Sequence, residues 1–438
     1  MGYKAYPDYK ESGVEWLSAI PKHWEIRRLK FMATIQNGRD YKEVESDDGF
    51  PVIGSGGQFT WASEFLYNGE SVLFGRKGTI DKPLHISGKF WTVDTMFYSV
   101  INPDVFGRYL YYFSTIFQYE KLATQTALPS ITQHDLGNYL LCYPYINEQK
   151  LIANFLDHKT AQIDRLIEKK QELIEKLQEQ RITVITRAVT RGLDSGAALK
   201  DSGIEWLGEI PTHWEVATVR RFIAKIEQGW SPSCEDRPAS PDEWAVLKSG
   251  CVNGGFFRES EHKTLPQELD PPLGLEVRAG DILMCRASGS KHLIGSVAKV
   301  KKCRKKLIFS DKTYRVTVDR NSLNPEFFTI AMRSKYMREQ IELSISGAEG
   351  LANNIPQSLV NSYIFLAPPL EEQNHIVESL ELFSQKTEQQ EQSINEAITR
   401  LQEYRAALIT AAVTGQIDVR DWQASETSEQ SNQDKDVA

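Results

Sequence analysis

Three glycine-flanked stretches are the places where this sequence could hold a phosphate. They are Gly54-Ser55-Gly56-Gly57, Gly75-Arg76-Lys77-Gly78-Thr79 and Gly289-Ser290-Lys291. A nucleotide-binding P-loop needs Gly-x-x-x-x-Gly-Lys-Ser/Thr, so that successive amides cradle the phosphates, and neither of the last two has that spacing. The first lacks the strand–turn–helix setting of a dinucleotide fingerprint and reads as an ordinary loop. Asp270-Pro271-Pro272-Leu273 approaches an amino-methyltransferase signature, but its fourth residue is not the aromatic ring that would stack on a flipped base. The 8 histidines include no His-Glu-x-x-His pair and no cluster with cysteine. The 5 cysteines form no Cys-x-x-Cys pair, and read as reduced thiols rather than a disulfide framework or zinc site. No catalytic residue and no metal ligand is assigned.

Binding features are better represented. Arg76 and Lys77 follow the strand-like run Ser71-Val72-Leu73-Phe74, and Arg286, Ser288 and Lys291 occupy the comparable place after Asp281-Ile282-Leu283-Met284. One position that is basic twice, on otherwise different sequences, suits a phosphate or base-edge contact. Gln36, Asn37 and Arg39 around Gly38 match Glu227, Gln228 and Trp230 around Gly229, as a contact loop or a plain turn. The run 299–306 adds Lys301, Lys302, Arg304, Lys305 and Lys306, either a solvated face or a phosphate-facing one. The net charge of −8 argues against a general nucleic-acid coat, but phosphate contacts depend on where the charge lies.

These turns must be positioned by something, and the sequence writes its scaffold twice. A helical pattern runs from Asn147, a candidate cap, to Gly192, a candidate stop. Its apolar stripe is Ile152, Leu156, Ile163, Leu166, Leu173, Leu177, Val184 and Ala188. Adding 224 finds a copy: Tyr139, Pro144, Gln149, Ile152, Leu156, Leu177 and Arg181 become Tyr363, Pro368, Gln373, Ile376, Leu380, Leu401 and Arg405. The second stripe runs through Ile376, Leu380, Ile394, Leu401 and Leu408. Helices of this length need a partner of equal length, and each is the other's candidate.

The opening of each half is also repeated. Glu11-Ser12-Gly13-Val14-Glu15-Trp16-Leu17 and Ile20-Pro21-Lys22-His23-Trp24-Glu25-Ile26 return as Asp201-Ser202-Gly203-Ile204-Glu205-Trp206-Leu207 and Ile210-Pro211-Thr212-His213-Trp214-Glu215-Val216. The shift there is 190 (206 − 16), so the second half carries 34 more residues in its middle (224 − 190). The chain is a tandem duplication and a pseudo-two-fold molecule. Trp16, Trp24, Trp206 and Trp214 are expected to pack each domain onto the helix pair.

The middles mix strands with glycine turns. Runs at 97–100 and 139–143 are read as strands and 109–122 as a helix; the second middle has strands at 314–318 and 363–366 and a helix near 325–342. Both are mixed α+β domains. At 438 residues the chain is long enough for two or three domains; 41% apolar and 25% charged content is that of a soluble globular protein. No apolar run approaches a membrane span, and the polar N-terminus argues for a cytoplasmic protein.

The doubled Glu-Trp-Leu…Ile-Pro-x-His-Trp-Glu opening and the doubled Glu-Gln-x-x-Ile closing helix (Glu148-Gln149-Lys150-Leu151-Ile152 and Glu372-Gln373-Asn374-His375-Ile376) resemble the specificity subunit of type I restriction–modification enzymes. The resemblance covers about 420 residues in order. It implies an α+β fold with two target-recognition domains separated by a long antiparallel two-helix coiled coil. The expected boundaries are a first recognition domain at 1–145, a long helix at 146–194, a second recognition domain at 195–368, a second long helix at 369–420 and a disordered tail at 421–438. It implies a non-catalytic subunit that binds double-stranded DNA, each domain reading one half of an asymmetric bipartite target. It implies two modification subunits docked on the coil and a restriction subunit beyond them, with S-adenosylmethionine, ATP and Mg on those partners and no cofactor here. About 30 residues of helix span roughly 45 Å, enough to hold two readers about one duplex turn apart. The alternatives are a protein scaffold that reads no DNA and a degenerate single-chain methyltransferase.

Overall fold

The computed structural model describes residues 3–124, 128–345 and 353–423. Of the tail expected to be disordered, 424–438 lies outside the described residues. The chain forms two compact units, Met1–Gln171 with Ile394–Ala438, and Glu172–Ser393. Each unit therefore holds one opening segment, one middle, the start of one long helix and the end of the other.

In the first unit, strands Tyr9–Val14 and Leu17–Pro21 form a hairpin, and Glu25–Arg28 pairs antiparallel with Leu140–Tyr143. The middle folds as a four-stranded antiparallel sheet in the order Leu84–Ile86, Ser71–Gly75, Met96–Ile101, Ala33–Asn37. A second, five-stranded sheet contains the parallel pair Phe50–Gly54 and Lys89–Thr92. Ser71–Gly75 is buried along its whole length, as an unbroken apolar run predicts for a central strand.

The second unit repeats the plan. Leu199–Asp201 pairs with Glu209–Pro211, and Glu215–Thr218 pairs with Ile364–Ala367. Its four-stranded sheet runs Ile223–Gln228, Thr313–Val318, Ile282–Cys285, Val297–Lys299. A smaller sheet again contains one parallel pair, Ala245–Leu247 with Leu307–Ile308.

The repeated motifs are the joints of this plan. Glu148, in the first turn of helix Ile146–Arg191, accepts from Tyr6 Oη at 2.8 Å and meets His23 Nε2 at 2.9 Å. Glu372, in the first turn of helix Leu370–Val413, meets His213 Nε2 at 2.7 Å and accepts from the Trp214 indole at 3.2 Å. A carboxylate suits the positive end of a helix dipole in both cases. The neighbouring glutamine is fully buried and spans the joint. Gln149 accepts from the Phe106 amide at 2.8 Å and donates to the Pro144 carbonyl at 2.9 Å. Gln373 accepts from the Asn324 amide at 2.7 Å and donates to the Pro368 carbonyl at 2.8 Å.

The long helices pair within each unit. In the first, Arg405 donates to Asp164 at 2.9 Å, above a core shared by Ile152, Leu156, Ile163 and Leu408. In the second, Arg181 donates to Ser384 at 2.7 Å and Glu388 at 3.4 Å, above a core shared by Ala188, Ile376 and Leu380. Moving 17 residues forward, from Asp164 to Arg181, moves 17 back, from Arg405 to Glu388, so the register is antiparallel. Leu177, Ile394 and Leu401 are half-buried on this seam.

Several expectations are corrected. Leu166 and Leu173 lie off the seam, 50% and 46% exposed, and Ile167 and Ile174 take their places. The seam alternates steps of four and three through 163, 167, 170, 174, 177, 181, 184 and 188, the spacing of a coiled coil. Asn147 lies inside the first turn; the Tyr145 carbonyl accepts from Glu148 and Gln149 and ends the helix there. Gly192 does stop it, at φ +74°, with its amide on the Ala188 carbonyl. The helix read over 109–122 is two, Gly107–Ser114 and Tyr119–Leu122, and that near 325–342 is Pro325–Met332 and Lys335–Ser344. At each break a serine hydroxyl, Ser114 or Ser334, donates to the carbonyl three residues back, where the helical ladder ends.

The tryptophans divide too. Trp24 and Trp214 are buried, Trp16 stacks on Tyr139 at 5.9 Å, and Trp206 is 49% exposed. Trp214→Ala is expected to destabilise the second unit by about 3–5 kcal/mol, whereas Trp206→Ala should change it by less than about 0.5 kcal/mol. Thermal unfolding of the two variants beside the parent checks the contrast.

Candidate nucleic-acid interface

The two arginine turns are built alike, bond for bond. In the first unit the amides of Arg76 and Lys77 both donate to the Thr95 carbonyl, at 2.8 and 3.3 Å. In the second the amides of Arg286 and Ala287 both donate to the Lys312 carbonyl, at 2.9 and 3.3 Å. The Arg76 carbonyl accepts from Ile131 at 3.0 Å, and the Arg286 carbonyl from Ile355 at 2.9 Å. Each guanidinium lies over an aromatic ring of the adjacent strand: Arg76 over Phe97 at 5.8 Å and Arg286 over Tyr314 at 5.5 Å. Each also donates once to a backbone carbonyl, Arg76 to Asp94 at 3.3 Å and Arg286 to Asp311 at 3.1 Å. Ring and carbonyl together fix a side chain that would otherwise sweep many rotamers.

The turn holding Arg39 is likewise repeated. Gly38 and Gly229 are required there, because a Cβ would sit 2.0 Å from the Val93 carbonyl oxygen and 2.1 Å from that of Phe309. Their neighbours Arg39 and Trp230 donate to the Thr92 and Phe309 carbonyls. Arg39 is exposed, whereas Trp230 packs beside Val246, Leu265 and Ile308. One frame thus presents a cation in one unit and an indole in the other.

The remaining candidates differ in how far their side chains are committed. Ser288 pairs with Asn353 on a short strand, and Lys291 opens an exposed turn whose carbonyl accepts from Arg338 at 3.1 Å. In the basic run, Lys301 and Lys305 are exposed, but Arg304 is committed internally. It donates to the carbonyls of Ala239 at 2.9 Å, Glu243 at 2.7 Å and Ser240. A residue read as phosphate-facing is a loop staple.

Other features carried no recognised sequence signal. Phe59, Trp61 and Phe65 are 54%, 40% and 42% exposed at one edge of the first unit's second sheet, and Lys89 lies over Phe65 at 4.8 Å. The alternation Phe59-Thr60-Trp61 was available as a strand signal. In the second unit, burial pushes Glu227 up, but the Arg315 guanidinium and Lys225 ammonium outweigh it and hold the carboxyl below its usual range. Burial pushes the thiols of Cys251 and Cys285 up to about 12 and about 11, so neither is an activated nucleophile. All five cysteines are free.

Against known proteins, residues 21–176 match the family model described as the type I restriction modification DNA specificity domain. The EcoKI specificity subunit of Escherichia coli K12 is 22% identical over 443 residues, an alignment covering 92% of this chain and 91% of that protein. The chain is a homologue of the type I specificity subunits. The EcoEI specificity subunit of Escherichia coli is 30% identical over 214 residues, and this alignment spans 48% of the chain but only 35% of the EcoEI subunit. A solved chain from the type I R-M system, described for complex assembly and conformational transition, shares the fold with a TM-score of 0.66 at 14% identity. It covers 90% of this chain and 98% of that one.

Within this homologue the 34 extra residues of the second half fall at defined places. The offset is 191 at Gly38/Gly229, 210 at Arg76/Arg286, 217 at Phe97/Tyr314 and 224 at Ile131/Ile355. Most of the insertion lies between the two repeated turns, where recognition surfaces can differ without moving either joint. Arg304→Ala is expected to destabilise the second unit by about 1–3 kcal/mol by taking the side-chain donor from the Ala239 and Glu243 carbonyls, the Ser240 carbonyl keeping the Glu243 amide, whereas Lys301→Ala and Lys305→Ala should cost less than about 0.5 kcal/mol. Differential scanning of the three variants separates staple from surface.

Proposed function

We propose that this specificity-subunit homologue is the non-catalytic DNA-recognition subunit of a type I restriction–modification complex. One observation carries the reading: the same backbone frame occurs twice and presents unlike side chains, Arg39 against Trp230 and Lys77 against Ala287. Two readers of one design and different lining suit a bipartite target whose halves differ in sequence. Double-stranded DNA is the ligand, contacted first by Arg39, Arg76 and Lys77 in one unit and by Arg286, Ser288 and Lys291 in the other. Two modification subunits dock on the repeated helix pair, which sets the gap between half-sites, and a restriction subunit joins them. S-adenosylmethionine, ATP and Mg belong to those partners, and the complex works in the cytoplasm.

Exchanging residues 27–145 for the corresponding middle of another such subunit should change one half of the methylated sequence and leave the other intact. Sequencing methylated positions in host DNA reads the result; a change in both halves or in neither overturns the proposal. Lengthening both long helices by one turn should shift the preferred gap between half-sites. A gap that stays put removes the helices from that role.

A further inference from the structure

The recognition reading leaves open which contacts discriminate bases and which only hold the duplex. The two units answer this by comparison. Around the turns most side chains differ: Gln36 against Glu227, Arg39 against Trp230, Lys77 against Ala287. Arg76 and Arg286 alone among the nominated cations are the same residue in the same setting, with two amides on one carbonyl, the guanidinium over a ring, and one donated bond to a backbone carbonyl.

An arginine has five N–H donors in a planar fork. One is used on Asp94 or Asp311, and Arg286 Nε is buried out of a ligand's reach, so it is the terminal nitrogens that a ligand can meet. Both side chains are half-exposed at the end of a central strand, so donors remain for a ligand. A residue presented identically to two half-sites of different sequence cannot report what differs between them. The feature common to every half-site is the phosphate backbone, and arginine's fork matches a phosphate.

We infer that Arg76 and Arg286 are sequence-independent phosphate clamps, one per unit, that fix each reader's register on the duplex, and that discrimination belongs to the divergent positions beside them, beginning with Arg39. This rests on the recognition reading above. It assigns opposite behaviour to residues that all look like basic DNA contacts.

The test uses the assembled complex and two duplexes, one carrying the methylated target and one lacking it, titrated over a range of salt. R76A and R286A should each weaken binding to both duplexes by a similar factor, on the order of tenfold. Each should lower the slope of log affinity against log salt by about 1, and the methylated sequence should be unchanged. R76K and R286K, which keep the charge, should recover part of the affinity. R39A should instead relax the first half-site while leaving the second as it was. Loss confined to the target duplex, or relaxed sequence at one base pair in R76A or R286A, would make these arginines base readers and overturn the assignment. Unchanged affinity and salt slope with a lowered melting temperature would make them fold staples and overturn it equally. Failure of the parent complex to bind duplex DNA sinks the recognition reading itself, whereas normal binding by the parent with unaltered R76A and R286A sinks only the clamps.

Discussion

The seating of a histidine–tryptophan segment on the first turn of a long helix is the constraint from which the rest of this structure follows. It occurs twice: His23 meets Glu148 with Trp24 buried alongside against Tyr6, and His213 and Trp214 both bond to Glu372. The buried amides of Gln149 and Gln373 complete each joint by tying the helix start to the loop before it and to the recognition domain. Such groups are stable only when satisfied, since a buried amide left unpaired costs about 1–3 kcal/mol. Each joint therefore tolerates little change, which is why its sequence is written nearly the same way in both halves.

A fixed joint frees what lies beyond it. The four-stranded sheet of each unit places one arginine turn and one glycine turn at its end, held by main-chain bonds that do not depend on side-chain identity. Gly38, Gly229 and, before the first arginine turn, Gly75 are constrained there by carbonyl oxygens that leave no room for a Cβ. The neighbouring residues can change without strain, and they have: an exposed arginine in one unit is a packed tryptophan in the other. The result is a division between an invariant frame and a variable face.

The frame was legible in the sequence and the face was not, for a physical reason. Motifs such as Ile-Pro-x-His-Trp and Glu-Gln-x-x-Ile bond to each other, so their repetition at offsets of 190 and 224 marks the joints directly. The seam was legible only in part, because Leu166-Ile167 and Leu173-Ile174 offer two adjacent apolar phases, and the partner helix chooses between them. Arg304 looked like its exposed neighbours because a charge run does not say which member folds inward to cap carbonyls. The equivalence of Arg76 and Arg286 was visible as a repeated basic position. Its ring comes from a strand 21 residues on in one unit (97 − 76) and 28 in the other (314 − 286), and its carbonyl from the turn just before that strand; only the sheet register brings them together.

The central claim is that two units of one design contact DNA separately, each on its own stretch of sequence. Hydroxyl-radical footprinting of the assembled complex on its methylated target tests this most directly. Two protected patches of unlike sequence, divided by an unprotected gap, are expected. A single continuous patch, or protection that persists when this chain is omitted from the complex, would contradict the account.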